Sequence, residues 1–295
     1  MHFIPQKVKH LYIEETKKKP DINHEYIVTE KRDGWFTYCS FSKKEGWDFV
    51  RSATGRIIPS MKFCKDDFFN KLPNPPCNTI FIMEAYIPDT SFHILNGIFN
   101  RSKGNCSAND VHFEIHDVLL NSRPKDSNLQ RHLYLIKLLD QGYFNKTSRL
   151  TPMSILSVTS SKKDWFRIFD IITESDGEGI VLKRADGFFQ PGKRNSSLMK
   201  IKLEDTFDLL CIDMYETVGE KGNRNLNLKL KRKSGVEVDV RVGKHEDIAN
   251  FLSDPTLAIG KVVEVRCMKE IEKGGALREP RFVTVRLDKT REEID

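Results

Sequence analysis

The sequence predicts an α+β protein in two parts: a larger domain of antiparallel sheets with helices over residues 1–203, a linker at 204–208, and a small β-barrel over 209–295. Two observations carry that expectation. Up to residue 203, short apolar runs with a period of two alternate with helical periods; beyond it, five strand patterns crowd into about 90 residues with one helix among them. The chain of 295 residues is also long enough for two cores, at roughly 150 residues per domain.

Composition narrows the class. Charged residues make up 31% and hydrophobic ones 39%, the balance of a globular chain and not of a disordered or membrane-embedded one. Apolar runs are strand-sized, and lysines interrupt the first twenty residues, so neither a membrane span nor a secretory signal is expected and the protein reads as intracellular. The Asn-x-Ser/Thr triplets starting at Asn100, Asn105, Asn145 and Asn195 are then chance matches. Six cysteines, at 39, 64, 77, 106, 211 and 267, form no C-x-x-C pair and read as reduced thiols. The net charge of +6 is unevenly spread: six basic residues face one acid over 183–203, and six face none over 221–233. Such clusters favour a polyanionic partner, although either alone reads as a solvated face.

Taken in order, the alternating Tyr26-Ile27-Val28 predicts a strand that delivers Thr29-Glu30-Lys31-Arg32-Asp33-Gly34-Trp35, with Asp33-Gly34 as the turn. Alone, this is more readily a hairpin turn with one solvated lysine. Strand pieces follow at 35–41 and 48–52, with a turn at Thr54-Gly55-Arg56 and a short helix over 65–71 stopped by Pro73, Pro75 and Pro76. The apolar run 79–87 contains Glu84, and a carboxylate inside a buried strand is costly without a partner or a task. Residues 101–109 read as a flexible polar loop and 111–119 as a strand with His112, His116 and Asp117.

Asp126 or Ser127 caps a helix to about residue 141, with Leu129, Leu133, Ile136 and Leu139 or Asp140 marking its helical period, an apolar stripe read as core. A second helix over 162–174 leads into Ser175-Asp176-Gly177-Glu178 and a strand ending at Lys183, then a loop over 187–194. In Ser197-Leu198-Met199-Lys200-Ile201-Lys202, the alternation points Lys200 and Lys202 to one side. Two ammonium groups so placed repel unless an anion or water lies between them. The strands expected past the linker run over 207–215, 225–231, 236–242, 261–268 and 281–286, with a helix at 246–253. This is the pattern of a small oligonucleotide-binding (OB) barrel.

Lys31-Arg32-Asp33-Gly34, Glu84, Glu178-Gly179-Ile180-Val181-Leu182-Lys183, Lys200-Ile201-Lys202 and Arg286-Leu287-Asp288-Lys289 occur in the order found in covalent nucleotidyltransferases. The chain resembles the small ATP-dependent DNA ligases of bacteriophages and viruses. That resemblance implies a nucleotidyltransferase (adenylation) domain followed by an OB-fold domain, with ATP and Mg²⁺ (or Mn²⁺) as cofactors. Nicked duplex DNA is the implied partner, and a monomer is expected.

By the same resemblance Lys31 is the residue adenylated. Lys183, Lys200 and Lys202 bind phosphates and, as neighbouring cations, favour the neutral amine. Thr29, Glu30, Glu84 and His116 contact the nucleotide, Glu178 with Glu84 places the metal, and Arg286, Asp288 and Lys289 meet the pyrophosphate. Arg32, Arg51, Arg56, Lys193, Arg194, Arg224, Lys229 and Arg281 are the DNA-binding candidates. The chain departs from the family in having Phe36 and Ala53 where arginines are usual and His116 at the ring position that stacks on adenine. RNA ligases and mRNA-capping guanylyltransferases share the pocket, and a non-catalytic single-strand-binding protein would explain the barrel and basic clusters but not the lysines.

Overall fold

The computed structural model describes residues 3–13, 16, 23–90, 92–101, 108–145, 149–219, 222–270 and 275–295. The central part of the polar loop expected at 101–109, including Cys106, lies outside them, as does Lys221 of the second basic cluster. The chain divides into two compact units, Met1–Lys202 and Leu203–Asp295.

In the first unit, one sheet has the order β1 (Lys7–His10), β11 (Arg194–Lys202), β10 (Gly179–Arg184), β2 (Tyr26–Glu30), β9 (Ser157–Thr159). Val28 lies opposite Leu182, which lies opposite Met199, so apolar side chains register across three strands. They pack with Trp165, Ile168 and Phe169 of the helix Lys162–Glu174. Ser161 caps that helix by accepting the Asp164 N–H. The apolar character of β2 and β10 follows from burial on both faces, one against the helix and the other in the interior of the unit.

The second sheet runs β4 (Gly46–Trp47), β3 (Trp35–Ser42), β6 (Thr79–Tyr86), β7 (His112–Leu120), β8 (Leu150–Pro152), with β5 (Arg51–Ser52) also on β3. Its core gathers Trp47, Phe69, Phe81, Met83, Phe113 and Ile115. Pairing is mainly antiparallel, as expected. The exceptions are β1 on β11 and β8 on β7, which are parallel, an arrangement that their long connections allow and a tight hairpin would not.

Several expectations shift. The helix of 65–71 is a single turn, Cys64–Asp67, followed by a 3₁₀ turn, Phe69–Lys71. A helix over Phe92–Phe99 and the strands β1, β8 and β9 had no periodic signal of their own. The helix after Ser127 spans Asn128–Asp140 with a full capping box to Gln130. Its buried face, however, is Asn128, Arg131, His132 and Leu135, while the expected core leucines Leu133 and Leu139 are exposed. The helix turns its polar stripe inward because Asp117 on β7 supplies a counter-charge there.

The second unit is a closed barrel of β12 (Asp205–Val218), β13 (Arg224–Lys231), β14 (Glu237–Arg241), β15 (Val262–Cys267) and β18 (Arg281–Arg286). The helix His245–Ser253 lies between its third and fourth strands in sequence. The circuit β12-β13-β14-β18-β15, with β14 and β18 parallel, is an OB-type barrel. Leu209, Leu228, Val240, Val263 and Val265 fill it. The linker expected at 204–208 is largely strand, since Asp205 already pairs with Cys267. A small hairpin, β16 (Lys269–Glu270) with β17 (Leu277–Arg278), is additional to the five expected strands.

Candidate active site

The alternation of the strands builds a cavity of about 240 Å³ between the two sheets of the first unit. While Tyr26, Val28, Ile180 and Leu182 face the helix core, Thr29, Val181 and Lys183 turn to the cavity, joined by Leu198 and Lys200 from β11. Phe36, Ile82, Glu84 and His116 line it from the second sheet. A bulge on β7 explains a break in alternation. Ile82 pairs with Asp117 but Met83 with Ile115, which leaves His116 as the extra residue, so consecutive His116 and Asp117 both reach the cavity.

Lys31 stands just past the end of β2, its backbone N–H donating to Gly179 O at 2.8 Å. Its ammonium donates to Glu178 Oε2 at 2.5 Å. The charged group in contact with Lys31 is therefore a carboxylate and not the expected lysine cluster. Gly34 supports the arrangement by close approach: a Cβ there would lie 2.6 Å from Ala85 O and 2.8 Å from Glu84 Cγ. Its N–H instead donates to Glu84. Burial pushes the Glu84 carboxyl up to about 8; Lys31 opposes that, while the nearby Glu178 and Asp33 charges add to it.

Behind the cavity lies a buried charge network. Arg131 grips Asp117 with Nε at 2.7 Å and Nη2 at 2.9 Å, and Lys183 Nζ lies 3.8 Å from the same carboxylate while donating to His116 O. Burial works against the Asp117 charge, but Lys183 and Arg131 outweigh it and hold the carboxyl down at about 2. Burial lowers Lys183 below the ordinary lysine value, with Asp117 opposing. Burial and the Lys183 charge hold His116 neutral, its value near 3, and its ring donates to Met83 O. At the cavity wall Arg32 is forked onto Glu114, with both contacts at 3.0 Å, and bonded to Glu30 at 2.9 Å.

The remaining candidates are placed as follows. Thr29, Glu30, Lys31, Glu84, His116, Lys183 and Lys200 all line the cavity, whereas Lys202 is buried beyond it, 1% exposed, opposite Gly179. Arg286, Asp288 and Lys289 belong to the barrel unit, where Arg286 forks onto Asp288 at 2.9 and 2.7 Å. Arg51 is bonded to Asp48 at 2.8 Å, and Arg56, Lys193 and Arg194 are exposed. In the barrel, Arg224 lies 3.7 Å from Glu216, Lys229 3.7 Å from Glu237, and Arg281 3.2 Å from Glu279. Sequence reasoning missed Arg131, Asn128, Glu114 and Phe189. The available signal was Asn128, Arg131 and His132 sharing one helical face with Leu135, a stripe too polar to be solvated and apolar at once.

No family model matches the chain. Over 149 residues it is 32% identical to a DNA ligase of Haloferax volcanii; the matched stretch is 40% of this chain and 25% of that relative. A solved structure of the Lig E DNA ligases superposes with a TM-score of 0.71 at 20% identity, covering 97% of this chain and 100% of that one. The ATP-dependent DNA ligase of bacteriophage T7, complexed with ATP, superposes at 0.55, with 15% identity over 96% of this chain and 98% of that one. The Chlorella virus DNA ligase-adenylate does so at 0.51, with 15% identity over 96% of this chain and 100% of that one. The fold is that of a minimal DNA ligase. Within this ligase fold, the departures Phe36 and His116 are neighbours, their rings 6.1 Å apart on the cavity wall.

Proposed function

We propose that the chain is an ATP-dependent DNA ligase that seals nicks through a lysyl-AMP on Lys31. The observation that carries this reading is the placement of Lys31 on the rim of a cavity that also presents Lys183, Lys200 and Glu84, inside a ligase fold. The Lys31 nitrogen, once neutral, attacks the α-phosphorus of ATP. A P–N bond forms, the P–O bond to the β-phosphate breaks, its electron pair leaves with pyrophosphate, and the nitrogen loses its extra proton. AMP then passes to the 5′-phosphate of the nick, and the 3′-hydroxyl displaces it.

Lys183 and Lys200 supply fixed positive charge for the phosphates, and the Asp117–Arg131 pair keeps Lys183 in place. Phe36 and His116 offer ring faces to the base, His116 as a neutral imidazole. Lys202, buried further along the same strand as Lys200, is the third cation assigned to the phosphates. Glu84 and Glu178, two mutually repelling carboxylates, fit Mg²⁺, which takes one or two carboxylates together with substrate phosphates. When bound, that ion, or Mn²⁺ in its place, offsets charge developing on the phosphoryl oxygens. Arg286, Asp288 and Lys289 act on the leaving pyrophosphate, while Arg51, Arg56, Lys193, Arg194, Arg224, Lys229 and Arg281 face the DNA backbone. Arg32, held by Glu30 and Glu114, belongs to the pocket wall and contacts the nick phosphate from there.

The test is incubation with α-labelled ATP and Mg²⁺. Label should survive denaturation on the wild type and be absent from Lys31→Ala; no label on the wild type sinks the reading. Label retained from GTP would favour capping, and nicked DNA compared with nicked RNA decides between the polynucleotides. Sealing should weaken steeply with salt, as counterion release requires.

A further inference from the structure

The barrel holds a charge cluster whose centre is none of the residues given a role above. Arg286, the last residue of β18, and Lys289, just past its end, converge on one carboxylate: Arg286 Nη1 lies 3.5 Å from each oxygen of Asp208, and Lys289 Nζ donates to its Oδ2. Asp208, on β12, is 7% exposed. Glu264 on β15 adds a contact to Arg286 at 3.3 Å. Without Asp208 the two cations would face each other with reduced compensation, since the Arg286 charge disfavours that of Lys289.

Asp208 is itself fixed from the far side. The Thr290–Glu293 capping box turns the chain back. Asp295 Oδ2 then accepts the Asp208 N–H at 2.6 Å, and the Asp295 N–H donates to Asp208 O at 2.9 Å. The Lys233 N–H in turn donates to Asp295 O at 2.7 Å. A carboxylate gripped through its own backbone in both directions is a rigid mount for two long, flexible cations. Most of the conformational entropy that Arg286 and Lys289 would lose on meeting an anion is lost already in this arrangement.

We propose that Asp208 is a positioning residue for nucleotidyl transfer: it holds Arg286 and Lys289 side by side for the departing pyrophosphate, and the return of residues 290–295 fixes Asp208. This rests on the ligase reading above. The role is confined to the step that releases pyrophosphate, because sealing an already adenylated nick releases AMP instead.

The experiment compares wild type, Lys31→Ala, Asp208→Asn and Asp295→Ala in two assays: lysyl-AMP formation from α-labelled ATP, and sealing of a pre-adenylated nick. For Asp208→Asn the rate of lysyl-AMP formation should fall ~10- to 100-fold at saturating ATP, with KM for ATP changing less than ~3-fold and sealing of the pre-adenylated nick unchanged. Asp295→Ala, which keeps the carboxylate of Asp208 but loosens its mount, should give a smaller loss of ~2- to 10-fold at an unchanged Tm, and stands alone if Asp208→Asn does not fold. A wild-type rate or a faster one in the folded variants overturns the proposal, as does an equal loss in both assays. Absence of label on the wild type strikes the ligase reading first and is told apart by that control.

Discussion

The Lys31 ammonium donates to Glu178 Oε2 at 2.5 Å, joining the end of β2 to the residue immediately before β10. The pair stands at the cavity rim, with the two side chains 19% and 12% exposed. A hydrogen bond of this kind aims the nitrogen and restricts its rotamers, so the carboxylate steers Lys31 independently of the metal role proposed for it. Glu178→Gln keeps the shape and loses the charge. Lysyl-AMP formation should drop by ~10- to 1000-fold at pH 7 with no loss of thermal stability, read from label retained on the denatured chain. A wild-type rate would remove Glu178 from the mechanism.

Asp117 neutralises two buried cations at once. Asp117→Asn leaves Arg131 and Lys183 underpaired in the interior, which costs about 3–5 kcal/mol. Urea unfolding should show that loss as a lower midpoint at an unchanged slope. A change below 1 kcal/mol would mean that the network is solvated.

Gly179 has φ +144°, and a Cβ there would lie 2.2 Å from Ile201 O and 2.8 Å from Lys202 Cα. Both are backbone atoms, so no side chain can move aside. Gly179→Ala should destabilise the first unit by about 3 kcal/mol or more, and nucleotide binding should weaken with it because Lys31 hangs from Gly179 O. Thermal unfolding followed with and without ATP measures both.

Acid should unfold the protein through its histidines before its carboxylates. Burial, with the Lys183 charge, lowers His132 to about 4 and His116 to about 3, and Asp117 opposes both shifts. The His132 Nε2 meets no hydrogen-bond partner among the described residues. An unfolded histidine titrates near ~6.5, so below that pH the unfolded chain binds protons that the folded one refuses. Stability should therefore fall from about pH 6.5 down to about 4, by roughly 3 kcal/mol for His132, and level off for that group below. Asp117, held at about 2, adds a further loss only as pH drops below its unfolded value. His132→Gln should flatten the slope between pH 6.5 and 4 in denaturant titrations, whatever its effect at neutral pH.

The barrel was legible almost strand by strand because each of its strands is covered on one face only and so alternates cleanly, as in Leu226, Leu228 and Leu230. That Lys31, Glu84, Glu178 and Lys183 belong to one neighbourhood was legible because charge beside a buried strand is conspicuous. What was hidden depends on contacts between distant segments. Arg131 reads as a solvated helix charge until Asp117 is placed against it, and His116 reaches the cavity through a bulge that alternation cannot show. Asp208, an ordinary acid in the sequence, acquires its place only when Arg286, Lys289 and Asp295 converge on it.

The parallel pairing of β1 with β11 sets a schedule for assembly. Gln6 Nε2 donates to Ser197 Oγ at 2.7 Å across 191 positions of sequence, and among the described residues β1 pairs with β11 alone. During synthesis β1 must wait for β11 until nearly two hundred further residues have emerged, with Val8 and its backbone edge open to wrong partners. The lysines Lys7 and Lys9 that flank Val8 are well suited to that interval, since like charges on an unpaired edge keep two nascent copies from zipping together. Completing the cavity between the two sheets, to which Val8 contributes, is thus among the last events in building the first unit.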